Sequence, residues 1–213
     1  MNSTLKIIQP FGPVIGSTQI TDKVINKVNS FVDKEIIGNS DKAKTLDHGH
    51  KLAGEVSQEI RLPKETIEGD VFNFLYSLTG AYIKYATNKE ISKFQIIDVW
   101  VVRQFRNEYN PPHFHSGHIS GVGYLMLPEG FGESIQKTKK STSHGEINFI
   151  HGTKQFLSKG QVVRKPKIGD FYIFPNYLYH SVNPFYQDGE RRSLSFNAII
   201  DQKIYDVYGH IEQ

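Results

Sequence analysis

The chain has 213 residues, 38% of them hydrophobic and 12% aromatic, which is enough to bury a core without disulfide or metal support. Lysine and arginine number 25 against 22 acidic residues, and the net charge of +3 neither requires nor excludes nucleic acid. The absence of cysteine excludes disulfides, thiolate zinc sites and thiol catalysis. We recognise no signal peptide and no apolar run of membrane-spanning length, so we expect a cytoplasmic protein without membrane contact.

Two helices are predicted in the first half of the chain. Apolar residues recur at helical spacing over 22–37, with a suitable capping residue at either end. A second apolar stripe of the same kind covers 68–86. Between the helices, the polar segment 39–50 is predicted to be a loop, and 52–62 alternates in part, as a strand would.

Beyond Phe94 the sequence becomes rich in β-branched and aromatic residues, and turn residues divide it into short segments. These segments predict strands at 94–105, 120–128, 145–152, 169–175 and 191–200. Such a series is typical of a β-barrel or sandwich. We therefore expect one domain, 1–213, in which 1–92 supports a barrel formed by 93–202. The lysine-rich segment 136–143 is predicted to be a solvated loop.

Three of the nine histidines lie close together in the segment NPPHFHSGHISG, as His113, His115 and His118. In an extended segment His113 and His115 project to the same face, because side chains alternate with period two. Two imidazoles so placed can bind one metal ion, although a His-x-His pair alone is also compatible with two surface histidines. A further histidine, His180, stands near the end of the apolar segment GDFYIFPNYLYHSV.

Polar residues alternate along the last predicted strand. One face carries Arg191, Ser193, Ser195 and Asn197, and the other carries Arg192, Leu194, Phe196 and Ala198. A polar row that begins with arginine suits a barrel interior that meets a polar ligand, since a guanidinium offers a planar fork to a carboxylate. The same pattern is equally compatible with an edge strand whose polar face meets solvent.

The chain carries, in order, the His-x-His pair, a strand, a distal histidine and an Arg-x-Ser strand. This order resembles that of the iron(II)- and 2-oxoglutarate-dependent oxygenases. More specifically, it resembles that of an uncharacterised branch from bacteria and phages that is related in fold to the prolyl hydroxylases. The matching stretches are NPPHFHSGHISGVGYLMLP, GEINF, GDFYIFPNYLYHSVNPF and RRSLSFN, with looser matches at QPFGPVIG and LAGEVSQEI. The resemblance implies a mainly β fold with flanking helices (α+β), in which N-terminal helices buttress a double-stranded β-helix, a jelly-roll or cupin-like barrel.

The resemblance also implies a set of site residues and cofactors. Three imidazoles would hold Fe(II), those of His113, His115 and His180. Arg191 would bind the distal carboxylate of 2-oxoglutarate with help from Ser193, and Tyr124 would add a hydrogen bond. With O2, such a site decarboxylates 2-oxoglutarate to succinate and hydroxylates a substrate, either a peptidyl residue such as proline or a small molecule.

The chain departs from the commonest ligand pattern of this superfamily, His-x-Asp/Glu…His, because His115 stands where the carboxylate would be. Three ligand sets remain open. The first consists of His113, His115 and His180. The second begins at His115 and has an open position at Gly117, as in the halogenases, and the third uses His118 instead of His113. We prefer the first, because His113 and His115 come from one strand end.

The sequence also contains candidate residues for the substrate mouth and is compatible with a second function. Trp100, Tyr109 and Phe114 are candidates for the substrate mouth, although Trp100 suits the barrel core better. The remaining histidines are expected to be surface or structural residues: His48, His50, His144, His151 and His210. The alternative function is a cupin-like metal-binding protein with Zn, Ni or Mn and no 2-oxoglutarate chemistry. We expect a small-molecule cosubstrate and a protein, peptide or small-molecule substrate, without nucleic acid; the sequence does not indicate the oligomeric state.

Overall fold

The computed structural model describes residues 5–8 and 12–208. Within them the strands, in chain order, are β1 (Lys6–Ile8), β2 (Ile15–Gln19), β3 (Gln58–Arg61), β4 (Phe94–Gln104), β5 (Asn110–His113), β6 (Ile119–Met126), β7 (Ile147–Ile150), β8 (Gln161–Arg164), β9 (Asp170–Pro175), β10 (Tyr179–Val182) and β11 (Arg191–Ile200). The α-helices are α1 (Asp22–Phe31), α2 (Ser40–Thr45), α3 (Lys64–Ile67), α4 (Asp70–Thr87) and α5 (Gln202–Tyr205). A π-helical turn (Val32–Ile36) and a 3-10 turn (Gly49–Lys51) complete the helical elements of the described residues.

The strands form two antiparallel sheets. The larger sheet has the order β1-β2-β9-β6-β11-β4-β3, and the smaller has the order β5-β10-β7-β8. Strands that follow one another in the chain therefore often lie in different sheets, which is the arrangement of a jelly roll. The expectation of a mainly β, jelly-roll fold with flanking helices is confirmed.

The two faces of the larger sheet pack against different parts of the molecule. One face packs against the helices, and the alternate residues Leu194, Phe196 and Ala198 of β11 lie there with Val24, Val28 and Leu75. The opposite face meets the smaller sheet through a second apolar cluster that includes Val122, Tyr124, Tyr172, Ile147 and Phe149. Because side chains alternate along a strand, the polar row of β11 points into the space between the two sheets.

Both predicted helices are present. Helix α1 begins where the Thr21 hydroxyl accepts a hydrogen bond from the Val24 amide at 3.4 Å, and the π-helical turn continues it to Ile36. Helix α4 begins after Gly69, which has a φ of 77°, and ends at the left-handed Asn88, which has a φ of 58°. Among the described residues, no helix has both the length and the apolar character needed to cross a bilayer.

The segment between these helices was predicted less well. Residues 39–50 are not a loop throughout, because α2 occupies Ser40–Thr45 and the 3-10 turn follows it. The side chain of Asn39 caps α2 by accepting from the Lys42 amide at 3.1 Å, and the helix buries no residue, so it has no apolar stripe to recognise. In 52–62 only β3 is a strand, and the residues before it form part of a cavity wall.

The five predicted strands correspond to β4, β6, β7, β9 and β11, while five shorter strands were not predicted. Strands of three to five residues, such as β1, β5 and β10, are too short to show a clear periodicity. His180 lies beyond the predicted strand 169–175, in the short strand β10. After Pro175 the chain turns, with the Leu178 amide donating to the Pro175 carbonyl at 3.0 Å, and enters the smaller sheet. The lysine-rich segment 136–143 contains no strand or helix, as predicted.

Candidate active site

A cavity of about 320 Å³ lies between the two sheets. Its polar lining includes Glu59, Asn110, His113, His115, His180, Arg191, Ser193 and Ser195. The residues come from β3, β5, β10 and β11 and from the turn after β5, so both sheets contribute. All the histidines of the preferred ligand set, and the arginine of the polar row, therefore meet in one space.

Strand pairing brings the histidines together. His113 ends β5 and is the direct partner of His180 in β10. The turn after β5 then returns His115 to the same place, where its Nε2 lies 3.2 Å from Nε2 of His180. One ring nitrogen from each of the three residues lies within 4.8 Å of the others, so the cluster could hold a metal ion.

Two backbone carbonyls set the orientation of these rings. Nδ1 of His113 lies 2.7 Å from the Pro111 carbonyl oxygen, and Nδ1 of His180 lies 2.9 Å from the carbonyl of Leu178. Since a carbonyl only accepts, each Nδ1 carries the proton and donates it. Each Nε2 then carries the lone pair, and that of His180 faces Nε2 of His115. Fixing a tautomer in this way is what second partners of metal-binding histidines usually do.

Burial keeps the cluster uncharged. It lowers the pKa of His113, and together with the neighbouring His113 it lowers the pKa of His115 to about 3. The pKa of His180 lies well below its ordinary value, mainly through burial and then through repulsion from the other two histidines. All three imidazoles are therefore neutral at physiological pH, the form in which histidine binds metals.

The structure places the alternative ligands differently. His118 lies outside the cluster, where its Nδ1 accepts from the Ile200 amide at 3.2 Å and its ring stacks on Tyr205 with centroids 3.9 Å apart. Gly117 has a φ of 85°, and a Cβ there would lie 2.9 Å from the Ala198 carbonyl oxygen, so the position suits a glycine turn. The geometry thus assembles the first ligand set and not the third.

Arg191 does not lie on an edge strand, so the solvent-facing interpretation of the polar row is wrong. Its strand β11 runs between β4 and β6, and the residue is 2% exposed. Nη1 donates to Oε1 of Gln104, whereas Nε and Nη2 have no hydrogen-bond partner among the described residues. Burying a hydrogen-bond donor without a partner costs free energy of folding. Two such nitrogens on one guanidinium suit a carboxylate ligand.

A buried phenol accompanies this guanidinium. The Cζ atom of Arg191 lies 4.9 Å from the ring centroid of Tyr124, and the Tyr124 hydroxyl also has no hydrogen-bond partner among the described residues. Burial raises the pKa of Tyr124, while the nearby charge of Arg191 opposes the rise, so the phenol stays a neutral donor. Ser193 is the direct partner of Tyr124 across β11 and β6, which places its hydroxyl in the same row.

The rest of the polar row is divided between cavity and core. Ser195 lines the cavity, whereas Asn197 accepts a hydrogen bond from Ser120 at 2.8 Å and is already satisfied. Trp100 belongs both to the barrel core and to the cavity wall. It is 3% exposed, it lines the cavity, and its ring centroid lies 5.6 Å from that of His115. Phe114 lies at the rim and is 57% exposed.

Among the other residues singled out in the sequence, Tyr109 is exposed and does not line this cavity. His48 is buried beside Trp100, with its Nε2 3.7 Å from Asp98, so it is structural and not a surface residue. His50 is largely exposed. His210 lies outside the described residues.

Sequence reasoning missed four polar residues of this site: Lys51, Glu59, Gln104 and Asn110. Gln104 is the direct partner of Arg191 across β4 and β11, a register that no local pattern reveals. Glu59 lies in a segment whose alternation was noted, but the pattern did not show which face would be covered. Asn110 begins β5, a strand of four residues that was not predicted.

Comparison with known families decides the class of this site. The family described as "Putative 2OG-Fe(II) oxygenase" matches residues 98–197, a segment that begins in β4 and ends in β11 and contains the histidine cluster and Arg191. The barrel segment 98–197 is thus similar to the Fe(II)- and 2-oxoglutarate-dependent oxygenases. The protein is therefore an oxygenase, and its family implies Fe(II), 2-oxoglutarate and O2, as the sequence resemblance predicted.

Solved structures share the fold of this oxygenase. A viral collagen prolyl hydroxylase from Paramecium Bursaria Chlorella virus-1, in its 2-oxoglutarate complex, is 17% identical and has a TM-score of 0.55; the match covers 86% of this chain and 94% of the viral one. A prolyl-4-hydroxylase from Pseudomonas putida is 14% identical with a TM-score of 0.50, covering 87% and 91%. The α-ketoglutarate-dependent epimerase SnoN from nogalamycin biosynthesis is 12% identical with a TM-score of 0.55, covering 93% and 87%.

These likenesses establish the fold and leave the substrate open. The structural neighbours include both hydroxylases and an epimerase, so one barrel supports different outcomes of oxidation. Among curated proteins, none matches this sequence.

Proposed function

We propose that this oxygenase binds Fe(II) through His113, His115 and His180 and uses it to hydroxylate the side chain of a peptide or a small molecule. The observation that carries the proposal is the meeting of three neutral imidazoles and a partly unpartnered guanidinium in one cavity. A barrel that only supports a fold has no use for them, because the imidazoles gather in a polar cluster and the guanidinium leaves two buried donors unsatisfied.

The histidine cluster fits Fe(II) in its donor chemistry. Imidazole nitrogen is a common ligand of non-haem iron, and three ligands leave the remaining positions of the metal for a chelating cosubstrate and O2. Because all three ligands are neutral, the metal would keep its full double charge, and the keto-acid end of 2-oxoglutarate would offset one unit of it.

The other end of the cavity fits 2-oxoglutarate. In this proposal, Nε and Nη2 of Arg191 bind the distal carboxylate, and the hydroxyls of Ser193 and Tyr124 donate further hydrogen bonds to it. Gln104 holds the guanidinium from behind through Nη1, so its free edge keeps one direction. When bound, Fe(II) and 2-oxoglutarate supply an oxidation of substrate by O2 that is coupled to formation of succinate and CO2.

The substrate enters beside the metal, where Trp100 and Phe114 contribute aromatic surface. The limited volume, about 320 Å³, suits one side chain or a small molecule in addition to the cosubstrate. Prolyl residues of peptides are the first candidates, because two proteins of similar fold are prolyl hydroxylases.

Anaerobic titration of the protein with Fe(II) and 2-oxoglutarate tests the proposal. We expect a visible charge-transfer band in the ternary mixture, and we expect succinate to form after O2 is admitted. Both signals should vanish in His180→Ala. A wild-type protein that binds neither Fe(II) nor 2-oxoglutarate would refute the proposal, whereas metal binding without 2-oxoglutarate binding would instead support a cupin-like metal protein.

A further inference from the structure

Glu59 lies on the cavity wall away from Arg191. Across the larger sheet, Glu59 is the partner of Val102 in β4, and Val102 is the partner of Ser193 in β11. Directly paired residues of an antiparallel sheet project to the same face, so Glu59 faces the same cavity as Ser193. Two strand spacings separate them, roughly 10 Å. The carboxyl group therefore lies beyond the region assigned to 2-oxoglutarate.

The carboxyl group of Glu59 is buried without a partner. The residue is 2% exposed, and no hydrogen bond or ion pair reaches its side chain from the described residues. The nearest charge that acts on it is Asp47, which is also acidic. A buried carboxylate is stable only when a cation or several hydrogen-bond donors compensate for lost water. Glu59 lacks both within the described chain.

The backbone at Gly54 passes close to this carboxyl group. A Cβ placed on Gly54 would lie 2.9 Å from Oε1 of Glu59 and 2.9 Å from Nδ2 of Asn110. Both polar groups line the cavity, and Asn110 shares β5 with His113. Glycine at position 54 therefore lets the backbone pass close by while the carboxyl and the amide keep their places beside the histidine cluster.

We propose that Glu59 and Asn110 form a substrate subsite that binds a cationic nitrogen, either an ammonium or a guanidinium group. The inference rests on the proposed function, since it assigns Arg191 to the cosubstrate and Glu59 to the substrate. The cavity then has an anion-binding end and a cation-binding end, with the metal ligands near both. A carboxylate accepts hydrogen bonds only, so it selects donors, and a cationic donor also compensates for its charge.

Relaxation measurements with Mn(II) test this subsite. Mn(II) and 2-oxoglutarate are added to the full chain, and the paramagnetic relaxation of probe protons reports binding beside the metal. The probes are n-butylammonium, which reproduces the end of a lysine side chain, and the uncharged 1-butanol of the same chain length. We expect wild-type protein to prefer n-butylammonium by roughly tenfold, because a desolvated charge pair is formed. Glu59→Gln should abolish the preference, and the exposed control Glu55→Gln should retain it.

Each other outcome has a defined meaning. Equal affinity of wild type for the two probes, or a preference that survives in Glu59→Gln, would overturn the subsite while leaving the oxygenase site intact. Failure of wild type to bind Mn(II) and 2-oxoglutarate would overturn the proposed function and the subsite with it. If Glu59→Gln does not fold, Glu59→Ala and Asn110→Ala replace it, and a preference that survives in both variants overturns the subsite.

Discussion

Gln104 and Arg191 are direct partners across β4 and β11, and the Gln104 side chain accepts a hydrogen bond from the guanidinium although the two residues are 87 positions apart. The amide holds the guanidinium, so we propose Gln104 as a positioning residue for the end of the cavity that we assign to 2-oxoglutarate. We expect Gln104→Leu to weaken 2-oxoglutarate binding roughly tenfold while leaving metal affinity unchanged. Isothermal titration with Mn(II) and then 2-oxoglutarate separates the two effects, and an equal loss of both would indicate general damage to the barrel.

Removal of the guanidinium itself should have a larger effect. Arg191→Gln is expected to weaken 2-oxoglutarate binding roughly 100-fold, since two charge-assisted hydrogen bonds are lost. The charge-transfer band of the anaerobic Fe(II) complex measures the affinity. The matched control is Arg106→Gln, because Arg106 is exposed and lies outside the cavity lining. Unchanged 2-oxoglutarate affinity in Arg191→Gln would contradict the assigned role.

Two alanine variants distinguish a proposed metal ligand, His115, from His118, which is close to it in sequence but lies outside the histidine cluster. We expect His115→Ala to reduce Fe(II) and Mn(II) affinity by at least about tenfold, because one of three ligand nitrogens is lost. His118→Ala should leave metal affinity unchanged and lower stability instead, since His118 caps the Ile200 amide and stacks on Tyr205. Loss of metal affinity in both His115→Ala and His118→Ala would instead favour the ligand set that uses His118 in place of His113.

The stability of the metal-free protein should depend on Glu59 and pH. Burial, and then the charge of Asp47, raise the pKa of Glu59 to about 7 from an ordinary value of 4.5. Because the folded state binds this proton more tightly, the carboxyl costs nothing below pH 4.5, and folding becomes less favourable as pH rises toward 7. The glutamine of Glu59→Gln is neutral at every pH. We therefore expect the free energy of unfolding of this variant to exceed that of wild type by about 2–3 kcal/mol at pH 8 and by little at pH 4.

Urea unfolding at the two pH values measures this difference. The exposed Glu55→Gln serves as the control and should show no pH-dependent gain. A gain of equal size at pH 4 and pH 8 would show that the substitution acts through packing and not through the charge.

A buried ion network on the opposite side of β11 should control stability without touching the site. The carboxylate of Glu190 accepts from Nε of Arg192 at 2.7 Å and from Nε of Arg103 at 2.9 Å. Burial alone would raise the pKa of Glu190, but these two arginines outweigh it and the net pKa is lowered. We expect Glu190→Ala to destabilise the fold by about 2–3 kcal/mol, because Arg192, which is 1% exposed, loses its hydrogen bonds to Glu190 and keeps Asp33 and Asn29 as partners. Thermal unfolding checks this, and a change below about 1 kcal/mol would contradict it.

The sequence alone indicated the strands that are long enough to show a pattern. The alternation of β11 separated Arg191 and Ser193 from Leu194 and Phe196, and the structure confirms both faces. It also indicated helices α1 and α4 from their apolar stripes. These features are local: each depends on the period of one element and on which residues avoid water. Short elements such as α2 and β10 were not predicted, because a few residues are too few to show a periodic pattern.

The sequence by itself supplied the chemistry of this protein, namely the histidines, the arginine and their order along the chain. Only the tertiary structure decided which of them meet. The pairing of His113 with His180, the position of Gln104 behind Arg191 and the burial of Glu59 all follow from strand register. Register between distant strands is determined by the burial of whole sheet faces against each other, which no local spacing records.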